Sequence, residues 1–225
     1  MYPRLDQCTL LKFEGTRLTI GNDYYLLSTL FSEKVHDELG VRQAVFLGHR
    51  GQDGLASIIK VRIEMNPRII EDPKSRPGIL EWSTRLFQNE IKALIDCQDL
   101  RSTPNLLGQS VQVQNNQYEY PGGYIHIIAM SRMPGMPVTE YSDLSDTEGV
   151  YIKARLMEIL ESIRLHGWYI TGGYPEKVIY ERSTRTVSLT SLGNSEKADL
   201  SKPEKYPFTE NNDILLGFGQ NVWWI

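Results

Sequence analysis

The sequence has no apolar run near the roughly 18 residues that a membrane-crossing helix requires, so no helical span is expected. It has two cysteines, Cys8 and Cys97. They stand far apart, which implies neither a disulfide framework nor a zinc site. No Asn-x-Ser/Thr sequon occurs, and Met1-Tyr-Pro-Arg4 leads into no signal-peptide core. An excess of positive charge is also missing: 24 basic residues face 28 acidic ones, for a net charge of -4. An electrostatic nucleic-acid binder needs a basic surface. A cytoplasmic protein is therefore expected, with the nucleus as a second compartment, and with neither nucleic acid nor membrane as partner.

What is present suffices for a folded protein. The 225 residues are 40% hydrophobic and 23% charged, a balance that excludes wholesale disorder. The length allows one large domain or two small lobes. Leu10–Phe13 and Arg17–Ile20 read as short strands, punctuated by Gly15 and Gly21. Gln43–Leu47 and Leu55–Ile63 read as a hairpin around Arg50-Gly-Gln-Asp-Gly54, whose glycines permit positive φ. A loop with Pro67, Pro73 and Pro77 follows. After Gly78, Leu80, Phe87, Ile91, Leu94 and Ile95 recur at helical spacing.

Two more strands are predicted at Ser110–Gln114 and Tyr124–Met130, and Pro134-Gly135 marks a chain reversal. The spacing then predicts a helix over Thr147–His166. Ser145 and Glu148 are placed for a capping box, and Val150, Ala154, Met157, Leu160 and Ile163 for its buried stripe. Val178–Tyr180 and Val187–Leu189 read as strands, and Asp213–Ile225 as a last apolar run. Strands with one helix precede a helix-led half, so the expected class is α+β, with a boundary near Pro134–Pro137.

This order resembles a eukaryotic protein kinase from about residue 39 onward. Val45-Phe-Leu-Gly-His49, the glycine turn and Ser57-Ile-Ile-Lys60-Val61 look like strands two and three of the small lobe. Lys60 falls at the V-A-I-K lysine, which in that family holds ATP phosphates, and Glu90 at the helix-C glutamate that pairs with it. Met130, at the end of Ile127-Ile-Ala-Met130, falls at the gatekeeper position before the hinge. Leu165–Tyr180 resembles the end of helix E and the catalytic loop, and Val187–Gly193 the strand that carries D-F-G. Lys202-Pro-Glu204 sits where A-P-E would be, and Asp213–Ile225 resembles helix F. The style of the short motifs is most like kinase-like proteins of filamentous fungi. The resemblance implies a bilobal fold with an antiparallel small-lobe sheet and one helix. Residues 1–133 would form the small lobe, with 1–38 either an extension or its first strands. Residues 134–225 would form a large lobe truncated in helix F.

The chemistry that the family performs needs a carboxylate to orient the attacking hydroxyl and metal ligands to neutralise phosphate charge. At those positions this sequence has Gly173 for the catalytic Asp, Lys177 for the metal-binding Asn, and Ser191 for the Asp of D-F-G. Glycine accepts no proton, an ammonium repels a divalent cation, and a neutral hydroxyl is a poor Mg²⁺ ligand. The phosphate loop, Leu39–Val45, keeps only its first glycine, with Arg42 and Gln43 where backbone N–H groups would approach phosphate. Ile58 replaces the alanine over the purine slot and would narrow it.

The expected function is thus that of a pseudokinase: an interaction or scaffold module, not an enzyme. Its partner would be another protein, an active kinase or its substrate. No cofactor is expected. ATP, if held through Lys60, Glu90 and Met130, would be held without Mg²⁺-dependent chemistry. One alternative is an atypical or residual ATP-binding kinase in which Glu176 or Glu181 supplies a carboxylate. Another is a truncated fragment without activity. Lys60 and Glu90 read first as a structural ion pair linking strand to helix, ahead of residual nucleotide binding, because Ile58 and the short loop argue against ATP. Asp213 reads as a helix-F anchor or as a simple cap. His166 suits the negative end of its helix. Ser191 lacks a nucleophile elbow. Trp223 and Trp224 read as core or as an exposed partner site.

Overall fold

Runs of β-branched and aromatic residues alternating with polar ones fill most of the first half of the chain, and six of them hydrogen-bond into one sheet. The computed structural model describes residues 9–67, 76–201 and 218. Its sheet comprises β1 (Arg17–Ile20), β2 (Asp23–His36), β3 (Val41–Arg50), β4 (Ala56–Glu64), β5 (Leu106–Val113) and β6 (Tyr124–Ser131). The strand order is β1-β2-β3-β4-β6-β5, and every pairing is antiparallel. Helix α1 (Arg76–Asp96) lies between β4 and β5 in sequence. The chain divides into two compact units. One comprises Met1–Phe87 with Leu106–Arg132, the other Gln88–Asn105 with Met133–Ile225.

In the first unit the period-two alternation of strands puts Ala44 and Phe46, Ile59, Val61 and Ile63, and Ile125, Ile127 and Ala129 on one face, all buried. Burying a side chain of this size contributes roughly 1.5–3 kcal/mol. Leu11, Phe13 and Tyr118 pack over that face, with the rings of Phe13 and Tyr118 stacked at 4.9 Å. On the opposite face His126 is stacked between Phe87 of α1 and Tyr124, each 4.3 Å away. The β3–β4 hairpin turns as the sequence predicts. Gly54 adopts φ +70°, its N–H donates to the Arg50 carbonyl, and Arg50 pairs with Asp53 at 2.6 Å.

The second unit is built on α2 (Asp146–Leu165). Its capping box is complete: the Ser145 hydroxyl accepts from the Glu148 N–H, and the Glu148 carboxylate from the Ser145 N–H. The helix packs on β8 (Trp168–Ile170) and β10 (Thr186–Leu189). β10 pairs with β9 (Val178–Glu181), which pairs with β7 (Met136–Pro137), and β8 pairs with β11 (Ser195–Lys197). The end of α1 is tied in by Asp96, which accepts from Trp168 Nε1 at 2.8 Å and Lys197 Nζ at 3.0 Å. Gly135 has φ +100°, and a Cβ there would stand 2.5 Å from the Tyr180 carbonyl oxygen. The reversal therefore needs glycine.

Several elements differ from the sequence expectation. Leu11–Phe13 is a 3-10 turn, not a strand. It forms a flap whose Leu10 and Phe13 cover the core. Helix α1 is described from Arg76, so it takes in Pro77 and Gly78, which the sequence assigns to the preceding loop. The buried face of α2 is Gly149, Ile152, Leu156, Ile159, Leu160 and Ile163, while Val150 is 66% exposed. Of the expected stripe, Leu160 and Ile163 are buried, Met157 is half-buried, and Val150 and Ala154 are exposed. Ile95 is likewise exposed. Strand β2, 14 residues long, had no counterpart in the reading. The A-P-E-like segment and the predicted helix F lie outside the described residues, except Phe218, which is buried.

Candidate functional site

The residues singled out by sequence fall into two groups, one in each unit. In the first, Lys60 sits mid-strand in β4, opposite Val45 of β3 and Ile128 of β6. Two residues earlier Ile58 lies opposite Leu47 and Met130. Alternation along β4 therefore puts Ile58, Met130 and Lys60 on the same face. Lys60 is 6% exposed, and Met130 is fully buried. The β-branched Ile58 stands between Leu47 and Met130, where it takes space that alanine would leave open.

The segment read as a degenerate phosphate loop is closed on itself. Asp37–Leu39 forms a 3-10 turn ended by Gly40 at φ +54°, and the Gly40 N–H donates to the Asp37 carbonyl. Arg42 and Gln43 already belong to β3. Arg42 donates Nη1 to Glu33 at 2.9 Å and Nε to Glu119 at 2.8 Å. Gln43 accepts from Arg62 Nε at 2.9 Å. Phosphate cradles need backbone N–H groups turned outward and small side chains around them. Here a donor and both side chains are engaged within the unit. Glu33 and Glu119 escaped the sequence reading because Arg42 could be matched to no carboxylate by spacing alone.

In the second unit the segments that carry Gly173, Lys177 and Ser191 are linked by hydrogen bonds. Strand β8 runs into Thr171-Gly172-Gly173, and a 3-10 turn, Pro175–Lys177, leads into β9. Thr171 donates both its N–H and its hydroxyl to the Asn194 carbonyl at 3.0 Å. The Thr190 N–H donates to the Lys177 carbonyl at 2.9 Å. The 190–194 stretch thus lies against both the glycine loop and the turn. Asn194 holds φ +65°, a conformation that asparagine tolerates better than most residues. Its carboxamide nitrogen is 3.1 Å from where a Cβ on Gly172 would be.

What this cluster offers chemically is limited. The Lys177 ammonium lies 4.7 Å from the centre of the Tyr174 ring, a cation–π contact. Ser191 is buried, and among the described residues its hydroxyl meets no histidine, so the nucleophile reading has no support. Glu181, one of the two carboxylates considered as substitutes, is engaged by its own hairpin. Its Oε1 accepts from the Ser183 N–H at 3.0 Å and the Ser183 hydroxyl at 2.7 Å, bonds that lower its pKa. Glu90 of α1 is fully buried.

Two further groups are clarified by contacts between residues distant in sequence. His166, with no carboxylate near it along the chain, has Asp99 3.1 Å from Nε2 and the Ser162 carbonyl 2.7 Å from Nδ1. The Ser162 bond and then Asp99 raise its pKa. Cys97 is buried in the second unit, and desolvation pushes its thiol up to about 12. It is chemically quiet at neutral pH. Among the described residues no three His, Cys, Asp or Glu side chains converge as metal ligands would.

Solved structures of protein kinases show the same architecture. The chain is similar to vaccinia related kinase 3 with a TM-score of 0.50 and 13% identity, over 82% of this chain and 52% of that one. It is similar to the Cydia pomonella granulovirus kinase PK-1 with a TM-score of 0.50 and 12% identity, over 77% of this chain and 55% of that one. The chain spans about half the length of these kinases. No protein-family model matches the sequence, and no curated protein does. The fold is an α+β, kinase-like one.

Proposed function

We propose that this kinase-like fold serves as a pseudokinase, a module that engages another protein without transferring phosphate. The observation that carries the reading is the content of one loop cluster. The three positions that the resemblance gives to the catalytic Asp, the metal-binding Asn and the Asp of D-F-G hold Gly173, Lys177 and Ser191, on segments linked by the Thr171–Asn194 and Thr190–Lys177 hydrogen bonds. Glycine, an ammonium and a hydroxyl supply neither a proton acceptor nor a divalent-cation ligand. The internally bonded turn at Gly40 and the engaged Arg42 and Gln43 add to it, because they remove the donors that would approach a nucleotide's phosphates.

Retained packing beside lost chemistry favours recognition of a protein, either an active kinase or its substrate. Lys60 and Glu90 then act in stability, and cytoplasmic placement follows from the same reading. The test is phosphotransfer itself. Incubation with ATP and Mn²⁺ followed by mass spectrometry is expected to reveal no autophosphorylation, and ATP hydrolysis is expected at background. Robust hydrolysis that disappears in Lys60→Met would overturn the proposal in favour of a residual kinase.

A further inference from the structure

The flap at Thr9–Phe13 and the loop at Asn115–Tyr120 are joined side to side, although 105 positions separate Lys12 from Gln117. Lys12 donates to the Gln117 carbonyl. The rings of Phe13 and Tyr118 stack at 4.9 Å. Arg42 links what holds the two segments. Its Nη1 meets Glu33, which accepts from the Thr9 and Leu10 N–H groups, and its Nε meets Glu119 of the loop. Flap and loop together overhang the sheet face of Phe46, Val61 and Ile127, and with that face they line a cavity of about 580 Å³. The close packing that supports the strands is therefore not continuous into this cover.

Among the described residues, the cover is tied by backbone bonds only at its bases. The Gly15 N–H donates to the Leu27 carbonyl and the Gly122 N–H to the Gln114 carbonyl, each at 2.8 Å. Beyond these bases the amides bond within their own segment or to side chains. Phe13 donates to the Leu10 carbonyl, Tyr118 to the Asn115 carbonyl, Leu10 to Glu33 and Tyr120 to the Gln114 carboxamide. Lifting the cover breaks no rung of the sheet ladder. Gly15 at φ +75° and Gly122 at φ +92° have open space where a side chain would stand, so the chain can turn at both. An opening that breaks few buried contacts lies below global unfolding in free energy.

We propose that flap and loop form one clasp, which opens as a unit about Gly15 and Gly122 and controls access to the cavity. The shared contacts make its halves cooperative: neither leaves its place without breaking the Lys12 bond and the aromatic stack. Native-state hydrogen exchange of the full chain, read amide by amide by NMR in low urea, tests this. The amides of Leu10 and Phe13 in the flap and of Tyr118 and Tyr120 in the loop should exchange through one opening, with a common free energy and urea dependence. Ile59 and Ile127 in the ladder should exchange more slowly. Leu10→Ala, which loosens the flap away from the loop, should speed all four clasp amides by one factor of at least tenfold. Asn115→Ala, which removes a bond internal to the loop at an exposed position, should likewise speed the flap and loop amides by one factor. The inference is overturned if either substitution speeds only the half that carries it, or if the four amides of the native protein exchange as slowly as Ile59 and Ile127.

Discussion

Arg42 and Glu33 meet across the β2–β3 pair, Nη1 to Oε1 at 2.9 Å, with the Glu33 side chain only 1% exposed. The same carboxylate accepts from the N–H and hydroxyl of Thr9 and from the Leu10 N–H. A residue that stands where a kinase's phosphate loop would be is therefore part of an anchor that holds the N-terminal flap over the core. The guanidinium at this position is needed to satisfy a buried carboxylate.

This anchor makes a strong stability prediction. Glu33→Ala removes the acceptor of the Thr9 and Leu10 N–H groups and of Arg42 Nη1, while Glu119 still holds Arg42 Nε; at roughly 1–3 kcal/mol for each buried donor left unsatisfied, the cost should be about 3 kcal/mol or more. Glu33→Gln, which keeps some acceptors, should cost about 1–3 kcal/mol. Urea unfolding of both variants measures the difference, and a cost under about 0.5 kcal/mol for Glu33→Ala would show that the flap is not held there.

Gly135 gives a second prediction. Its φ of +100° and the 2.5 Å approach to the Tyr180 carbonyl exclude a side chain. Gly135→Ala should destabilise by at least about 1–3 kcal/mol from backbone strain alone. The exposed Gly54, at φ +70° with open space around it, should tolerate alanine better. Thermal unfolding of the two variants side by side gives the ranking.

Burial among Phe87 and Tyr124, and then the nearby Arg62 charge, lower the His126 pKa to about 4. Because the folded value lies below the unfolded 6.5, the neutral ring favours folding above that pH. Its contribution is lost as pH falls from about 6.5 through 4, on the order of 3 kcal/mol in full. His126→Phe keeps the stacked ring and removes a buried Nδ1 that has no hydrogen-bond partner. The variant should gain more stability relative to the native protein at pH 5 than at pH 7.5. Equal differences at both pH values would contradict the assignment.

His166 behaves in the opposite sense. Its folded pKa is raised by the Ser162 carbonyl and by Asp99, so its contribution is complete below the unfolded value and fades as pH rises through the folded one. The pair is partly exposed, so the effect should stay under about 1 kcal/mol. His166→Gln should flatten the stability profile between pH 6 and 8, as read from denaturant midpoints. An unchanged slope would show that the contact with Asp99 carries no weight.

Local rules made the β3–β4 hairpin, the bulk of both helices and the capping box of α2 legible. Strand β2 was not, because its register shifts between Leu27 and Thr29 and again between Leu30 and Ser32. Each bulge resets the alternation by one residue, so Tyr25, Leu27, Leu30 and Glu33 share no single period. Strands β8 and β11, three residues each, are too short to show one. The α2 stripe is legible at Leu160 and Ile163 but not in the first turns, because Val150 is as apolar as Ile152, which faces the core. At the candidate site the assignment of Gly173, Lys177 and Ser191 rests on motif order. The Arg42–Glu33–Glu119 network could not, since Arg42 and Glu119 stand far apart in sequence and meet only through the fold.

The central claim is that a kinase-like fold persists here without metal-assisted nucleotide chemistry, and a thermal-shift titration with ATP tests it most directly. The melting temperature should be unmoved by Mg²⁺–ATP relative to ATP alone, in both the native chain and Lys60→Ala. A Mg²⁺-dependent rise in the native chain that Lys60→Ala abolishes would contradict it.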